Sequence, residues 1–381
     1  MSGYFAFRQI PVLLRGEPAV LIGKPGVWSW DAVNPGTAAL IDTMDVGPRD
    51  RVLDLGCGTG LMGLAAARLA HQGWVTLVDV NIAAVRCAQR TLDANGVTNA
   101  DVQLGCGVDG RDQYDLVLSH LPRGKATVST MIRNAAVALK PGGRFYLVAH
   151  KRTGVKSAIG VAAQALDQVG VVRRKAGYHV ALGVKSQLPP ASPVVAQKDD
   201  FQRFDITLAG KPAVMIGYPG VFAWNRLDDG TAALVQSMAV HPTDCVLDLG
   251  CGSGLVALAA AQRGARVTAV DADIRAVEST RRTLAANHVD GEVVISDCAQ
   301  AVLDGRFDVI LCNPPFHQGA GVEYDVARQM IRDAVQVLKA GGRFYLVSNV
   351  FLRYEREMTD HFSEIEEVFN DRRYRVVRAR R

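Results

Sequence analysis

The chain has 381 residues, of which 49% are hydrophobic and 21% are charged, and its formal net charge is +5. This length fits about two globular domains, and no apolar stretch is long enough to span a bilayer. The first residues lack a signal-peptide pattern, the seven scattered cysteines form no C-x-x-C pair, and the histidines have no metal-binding spacing. We therefore expect no signal peptide, reduced thiols, a cytoplasmic protein and no metal site.

The sequence contains an internal duplication. Residues 7–44 match residues 201–238, and V-L-D-L-G-C-G-T-G in the first half matches V-L-D-L-G-C-G-S-G in the second. Asp54 and Asp248 consequently lie 194 positions apart. A period this long indicates two copies of one domain rather than a solenoid of short repeats.

The two copies differ in charge. We predict domains at residues 1–188 and 189–381, joined by a proline-rich linker at 185–200. Residues 1–190 hold 21 Lys and Arg against 13 Asp and Glu, a net charge of +8, whereas residues 191–381 hold 22 against 25, a net charge of −3. The basic first half favours a polyanion such as nucleic acid as its partner. The fused copies also lead us to expect a monomer with an internal pseudo-dimer.

Each copy has the same order of predicted elements. In the second copy, strands at 246–250, 267–271, 292–296, 307–312 and 343–348 alternate with helices at 255–263, 275–287 and 325–339. Two extended segments end each copy, at 169–174 and 179–184 and again at 364–369 and 374–380. This alternation predicts an α/β fold, in which each copy has a mostly parallel seven-stranded sheet with helices on both faces and a C-terminal antiparallel hairpin.

A glycine-rich turn follows the first strand of the second copy. Asp248 ends that strand, and Gly250, Gly252 and Gly254 precede the next helix, where glycine permits a tight turn and close approach of a ligand. Asp271 ends the next strand, where a carboxylate can accept two hydroxyl hydrogens from a ribose.

Asp297 ends the strand after that and is a candidate for binding an adenine amino group. Three carboxylates at successive strand ends indicate a nucleoside site above the sheet. Strand-end caps and turns are the structural alternative.

An asparagine and two prolines follow the strand at 307–312. Asn313 and the carbonyl of Pro314 can both accept hydrogen bonds from a planar amine, and Pro315 stiffens the turn. Phe316 can stack on a base. The structural alternative is a proline turn with an asparagine cap.

These two motifs resemble those of class I S-adenosylmethionine-dependent methyltransferases that modify a conjugated amino nitrogen. The resemblance implies a Rossmann-like fold in both copies, S-adenosylmethionine as the cofactor and S-adenosylhomocysteine as the product. It implies the following cofactor-binding residues: Asp248, Gly250, Cys251, Gly252, Gly254, Asp271, Ala272, Asp297, Cys298 and Asn313. The implied catalytic residues are Asn313, Pro314, Pro315 and Phe316.

The longer motif N-P-P-F-H-x-G at 313–319, the tandem arrangement and the stretch at 220–234 resemble bacterial ribosomal RNA guanine-N2 methyltransferases of the RsmC/RlmG type. The resemblance covers nearly the whole chain. It implies methylation of one guanine N2 in 16S rRNA, free or in the 30S subunit, with no membrane partner and an inactive first copy that helps to bind RNA. Alternatives are 23S rRNA guanine N2, adenine N6, a protein glutamine, and a non-catalytic RNA-binding assembly factor.

The first copy departs from this pattern at its site. It keeps the glycine turn and the ribose carboxylate: Asp54, Gly56, Gly58, Gly60 and Asp79. However, it has His120, Leu121 and Arg123 at the positions of Asn313, Pro314 and Phe316, and Cys106 at that of Asp297. We therefore predict that the first copy transfers no methyl group.

Basic residues in two regions are candidates for RNA contact. Those in the first copy are Lys151, Arg152, Lys156, Arg173, Arg174 and Lys175, and those in the tail are Arg372, Arg373, Arg375, Arg378, Arg380 and Arg381. The tail arginines could equally protect an edge strand from aggregation. Phe222 and Trp224 either line the entry to the site or pack in the core.

Overall fold

The computed structural model describes residues 3–186, 200–315 and 321–381. The chain divides into two compact units, Met1–Asp200 and Phe201–Arg381. The predicted boundary between residues 188 and 189, and nearly all of the predicted linker, lie outside the described residues. In the described ranges, no helix combines the length and the apolar character needed to cross a membrane.

The first unit starts with an antiparallel hairpin of β1 (Arg8–Leu14) and β2 (Glu17–Gly23). Its sheet contains β3 (Arg51–Leu55), β4 (Trp74–Asp79), β5 (Ala100–Leu104), β6 (Tyr114–His120), β7 (Leu139–His150), β8 (Asp167–Lys175) and β9 (Tyr178–Val184). Its helices are α1 (Pro35–Thr43), α2 (Leu61–Leu69), α3 (Ile82–Ala94), α4 (Lys125–Ala138) and α5 (Val155–Ala162).

The second unit repeats this order, starting with the hairpin of β10 (Gln202–Leu208) and β11 (Lys211–Gly217). Its sheet contains β12 (Cys245–Leu249), β13 (Arg266–Asp271), β14 (Glu292–Ile295), β15 (Phe307–Cys312), β16 (Leu338–Asn349), β17 (Glu364–Asn370) and β18 (Tyr374–Arg380). Its helices are α6 (Asp229–Ser237), α7 (Leu255–Ala261), α8 (Ile274–Ala286), α9 (Gly321–Val337) and α10 (Glu355–Thr359). A 3₁₀ turn spans Gln300–Val302.

The two sheets have the same topology, and the predicted fold class is confirmed. The strand order is β5-β4-β3-β6-β7-β9-β8 in the first unit and β14-β13-β12-β15-β16-β18-β17 in the second. In this spatial order, the first five strands are parallel to one another, and the last two form the predicted antiparallel hairpin. The strand order reverses between β12 and β15, and ligands bind α/β sheets at the carboxyl ends of strands at such a point.

The hydrophobic runs of the central strands explain their position. In β12, Val246, Leu247 and Leu249 are fully buried, because a parallel strand covered by helices on both faces has no solvent-facing side. The hairpin at the start of each unit was not among the predicted elements. In the second unit it is joined to α8 by Asn287, whose side chain accepts from Val214 N (2.9 Å) and donates to Val214 O (2.7 Å).

Two glycines of the second unit allow a matched test of this packing. Gly252 and Gly254 both have positive φ, at 54° and 80°, which costs about 1–2 kcal/mol for alanine. A Cβ on Gly252 would meet nothing within 4 Å, whereas one on Gly254 would lie 2.9 Å from Thr280 Cα. We expect Gly254→Ala to lower the free energy of unfolding by about 1–3 kcal/mol more than Gly252→Ala, measured by urea denaturation. Equal losses would contradict the close packing at Gly254.

Candidate functional site

The glycine turn of the second unit is fixed to the neighbouring strand. The amides of Gly250 and Cys251 both donate to Val270 O, at 2.9 and 3.0 Å, and Gly254 N donates to Cys251 O at 2.8 Å. The turn therefore lies against the end of the neighbouring strand β13, and the space beside Gly252 stays open. Such a turn lets a ligand approach the backbone closely.

Asp248 lies beneath this turn. It is 1% exposed, and its Oδ2 accepts from Ala257 N in the first turn of α7 (2.9 Å). Its pKa is raised to about 7, mainly by burial; the hydrogen bond from Ala257 opposes this shift, and the negative charge of Asp271 adds a smaller increase. A cationic ligand would favour the ionised form of this carboxyl group.

Asp271 is held at the end of β13 by two backbone amides. Its Oδ2 accepts from Gly252 N (3.0 Å) and its Oδ1 from Asp273 N (2.9 Å). Burial is the main cause that raises its pKa to about 6. Each carboxylate oxygen can accept a further hydrogen bond, so the group is oriented for a pair of hydroxyls. Ala272, also predicted to contact the cofactor, is the next residue and is half-buried.

Asp297 and Cys298 follow β14 and are both nearly buried, at 3% and 4% exposure. Asp333 of α9, which was not predicted, lies behind them: its Oδ2 accepts from Ala299 N (3.0 Å) and its Oδ1 from Gln329 Nε2 (2.5 Å). Burial raises the pKa of Asp333, and the charge of Asp297 adds to the shift. An acidic residue among the apolar positions of an amphipathic helix is the signal that could have identified it.

Asn313 is the first residue after β15. Its Nδ2 donates to Thr231 Oγ1 at 3.0 Å, while its Oδ1 is buried and has no hydrogen-bond partner among the described residues. A buried unpaired acceptor costs about 1–3 kcal/mol, so native proteins contain few of them. Within the described residues, the amide therefore has an acceptor that no protein donor uses.

The rest of the proline motif is described only in part. Pro314 is buried and Pro315 is exposed. Phe316, together with His317 and Gly319 of the longer motif, lies outside the described residues.

Thr231 is a second residue that was not predicted. It lies in the first turn of α6, where its amide donates to the N-cap side chain of Asp228 (3.0 Å). The cap fixes the start of α6 and so the position of the hydroxyl that holds Asn313. The stretch G-T-A-A-L, present in both copies, was the available signal.

The two aromatic residues before the glycine turn have different environments. Trp224 packs against Phe204, with ring centroids 5.7 Å apart, and belongs to a small cluster around Tyr218 and Val221. Phe222 is 47% exposed. Trp224 is therefore a packing residue, and Phe222 faces the surface.

The first unit keeps the geometry of the glycine turn. Gly56 and Cys57 donate to Val78 O at 2.8 and 3.0 Å, and Gly58 N donates to Asp79 Oδ2 at 2.9 Å. Asp54 is fully buried, and burial raises its pKa to about 7, as for Asp248. These contacts match those of the second unit.

The first unit differs at the other positions of the site. His120 packs against Trp28, with ring centroids 4.5 Å apart, and burial lowers its pKa to about 4, so that it is neutral near pH 7. Cys106 is exposed, and Asn134, which donates to Cys106 O (3.4 Å), lies on the helix that corresponds to the one carrying Asp333. In the described part of the first unit, the positions that correspond to Asp297 and Asp333 thus have no carboxylate, and the position of Asn313 has an imidazole.

Comparisons with known proteins agree with this arrangement. The methyltransferase small domain family matches residues 19–182 and 213–378, once in each unit. Ribosomal RNA small subunit methyltransferase C of Pseudomonas fluorescens is 34% identical over 72% of this chain and 82% of that protein. The protein of the same name from Shewanella sediminis is 31% identical over 73% of this chain and 80% of its own length.

One solved structure is similar over nearly the whole chain. It is the T. thermophilus 16S rRNA N2 G1207 methyltransferase in complex with AdoMet and guanosine, 31% identical, with a TM-score of 0.85 and 98% of each chain covered. The predicted resemblance is therefore confirmed. The chain belongs to the methyltransferase small domain family and, within it, to the ribosomal RNA small subunit methyltransferase C family.

Proposed function

We propose that this chain transfers a methyl group from S-adenosylmethionine to the exocyclic N2 of a guanine in 16S rRNA, at the site in the second unit. The observation that carries the proposal is the buried, unpaired Oδ1 of Asn313. The parallel register pairs Leu249 with Cys312, so Asn313 and the glycine turn start side by side. The candidate acceptor for the guanine amine thus lies next to the glycine turn that would bind the cofactor.

The residues present fit the cofactor. The open space beside Gly252 would admit the ligand, Asp271 would accept from the ribose hydroxyls, and Asp248 would supply negative charge near the sulfonium. Asp297 and Cys298 would hold the adenine, with Asp333 supporting the loop. S-adenosylmethionine supplies a methyl group on a positively charged sulfur.

The second unit would act mainly by positioning. The lone pair of guanine N2 is delocalised into the ring, so the amine is a weak nucleophile. Asn313 Oδ1 and the carbonyl of Pro314 would accept its two hydrogens, fix its direction and favour a more tetrahedral nitrogen. No strong base is required, because the nitrogen can lose its proton after methylation. Phe316 would stack on the base.

The first unit would contribute RNA binding rather than catalysis. It lacks the amide acceptor and both carboxylates of the adenine side, and residues 1–190 carry the net positive charge. We accordingly assign catalysis to residues 189–381 and RNA binding to residues 1–188. We also propose that the protein acts as a monomer in the cytoplasm, where ribosomal subunits are assembled.

Methyl transfer to defined RNAs tests this function. The protein is incubated with labelled S-adenosylmethionine and either 16S rRNA, 23S rRNA or intact 30S subunits, and the nucleosides are separated by mass spectrometry. We expect label in N2-methylguanosine from 16S rRNA or from the 30S subunit. Label in N6-methyladenosine, in 23S rRNA alone or in protein glutamine would contradict the proposal.

Replacing Asn313 tests the assignment of catalysis to the second unit. Asn313→Ala removes the amine acceptor and is expected to lower kcat by about 10²–10³-fold, with little change in cofactor affinity. The matched variant His120→Ala in the first unit should leave kcat at saturating RNA within about twofold of wild type. A fully active Asn313→Ala enzyme would refute the assignment.

Thr231 is expected to act through Asn313. Without its hydroxyl, the amide can rotate and present Nδ2, a donor, to the donor amine of guanine. We expect Thr231→Val to lower kcat about tenfold at unchanged S-adenosylmethionine affinity, and Thr231→Ser to restore it. Wild-type kcat in the valine variant, or no recovery in the serine variant, would remove Thr231 from this role.

Cofactor affinity should depend on pH. Burial raises the pKa of Asp248 to about 7 and that of Asp271 to about 6, and a cationic ligand stabilises their ionised forms. Binding must therefore release protons near pH 6.5, and affinity should fall as the pH drops from 8 to 5.5. Calorimetry in two buffers with different ionisation enthalpies measures the released protons, and Asp248→Asn should reduce their number. Equal affinity at both pH values would contradict the role of these carboxylates.

A further inference from the structure

A row of aromatic rings supports an exposed tryptophan in the first unit. Trp28 is 52% exposed and packs against His120 at 4.5 Å between ring centroids. His120 in turn lies 6.1 Å from Tyr178, and Tyr178 lies 5.1 Å from His150. Asn34 donates to the Tyr178 hydroxyl at 3.1 Å and holds the middle of the row. The indole is thus supported from within the unit, and its outer part faces solvent.

The row ends at a cluster of cations. Lys151 follows His150 and is fixed by a hydrogen bond from its amide to Gly177 O at 2.9 Å. Lys151, Arg152, Lys156 and Arg174 are exposed, and none has an ion-pair partner within the described part of the chain. Partial burial, and then the charges of Arg174, Lys151 and Lys156, hold the pKa of His179 below its ordinary value. This cluster has positive charge that no carboxylate compensates.

The neighbouring basic residues of the first unit are compensated. Arg173 and Lys175 both face Asp42, at 3.8 and 3.2 Å. They are therefore weaker candidates for RNA contact than the four unpaired cations.

The second unit has apolar residues at two of the corresponding positions. Register pairs Tyr178 with His150 in the first unit and Tyr374 with Asn349 in the second, so Val350 and Phe351 take the positions of Lys151 and Arg152.

Four of the six tail arginines form ion pairs with carboxylates that the structure describes. Arg375 is buried and pairs with Glu355 and Glu367, and the remaining pairs are Arg373–Asp229, Arg378–Glu366 and Arg380–Glu364. Their charge is therefore compensated in part by these carboxylates. Among the described residues, the second unit has no exposed tryptophan, whereas the first has Trp28 next to the row that leads to these cations.

We propose that Trp28, Lys151, Arg152, Lys156 and Arg174 form a binding surface for a single-stranded segment of RNA. One unpaired base stacks on the outer part of the Trp28 indole, and the adjoining phosphates bind the four cations. Stacking on an aromatic ring beside a basic track is the usual mode for single strands, because a duplex keeps its base faces covered. The inference rests on the proposed function, in that it takes RNA as the substrate.

Binding of the full-length protein to a labelled single-stranded RNA of about 12 nucleotides tests this surface. We expect Trp28→Ala to weaken binding about tenfold and Trp28→Phe to recover most of it. Changing the four cations to glutamine should reduce the slope of log affinity against log salt by about 3.

Two matched controls use residues that resemble the surface but lie elsewhere. Trp74 is 42% exposed at the opposite, amino-terminal end of β4 and donates to Asp101 at 2.5 Å, so Trp74→Ala should bind RNA like the wild type. The double variant Arg378→Gln and Arg380→Gln should keep the wild-type salt slope. Near-ultraviolet circular dichroism and thermal unfolding check that every variant remains folded, because cofactor binding in the second unit would not report on the first.

The outcomes separate this inference from the proposed function. Equal RNA affinity in Trp28→Ala and Trp74→Ala, with an unchanged salt slope in the glutamine variant, overturns the surface even if 16S rRNA is methylated. The surface is also overturned if Trp28→Ala or the glutamine variant loses affinity for a protein or lipid probe but keeps its affinity for RNA. A wild-type protein that binds RNA as expected but methylates no RNA leaves the surface standing and refutes the proposed function.

Discussion

The parallel pairing of β12 with β15 is the constraint on which the candidate site depends. It aligns Leu249 with Cys312, so the glycine turn and Asn313 leave the sheet at the same level, although 63 residues separate them in sequence. The pairing of β12 with β13 brings Asp271 to the same edge. The hydrogen bond from Asn313 to Thr231 then fixes the amide, whose oxygen has no partner among the described residues. Since both neighbours of β12 are parallel, a shift of one residue in either pairing would separate the cofactor carboxylate from the amine acceptor.

A comparison of the two units separates residues that the fold needs from residues that methyl transfer would need. Both units keep the glycine turn with the same hydrogen bonds and the same buried aspartate, because the turn also joins a central strand to its helix. Only the second unit keeps the amide and the acidic residues behind β14. A retained glycine turn is therefore weak evidence of activity, and so is the threonine of G-T-A-A-L, which both copies have; the residue after β15 distinguishes the two units. The first unit instead has Lys151 and Arg152 at positions where the second has Val350 and Phe351.

Sequence reasoning predicted the parts of the site that are local in the chain. The glycine turn, Asp271, Asp297 and Asn313 each follow a hydrophobic strand directly, so their common edge follows from the order of elements. Thr231 and Asp333 were missed because they reach the site from helices whose rotation is set by tertiary packing. The roles of the tail arginines stayed open for the same reason, since their partners Glu355, Glu364, Glu366 and Glu367 lie on other elements. The hairpins at the start of each unit, β1-β2 and β10-β11, were missed because each is a separate two-stranded sheet that depends on a helix for support.

The most direct measurement of the central claim is a crystal structure of this protein with S-adenosylhomocysteine and guanosine. The account predicts that guanine N2 lies about 2.7–3.2 Å from Asn313 Oδ1, with the second hydrogen directed to the carbonyl of Pro314. It also predicts that Asn313 Nδ2 remains bonded to Thr231. A guanine whose amine lies more than about 4 Å from Asn313, or is bound by acceptors of other residues, would contradict the account.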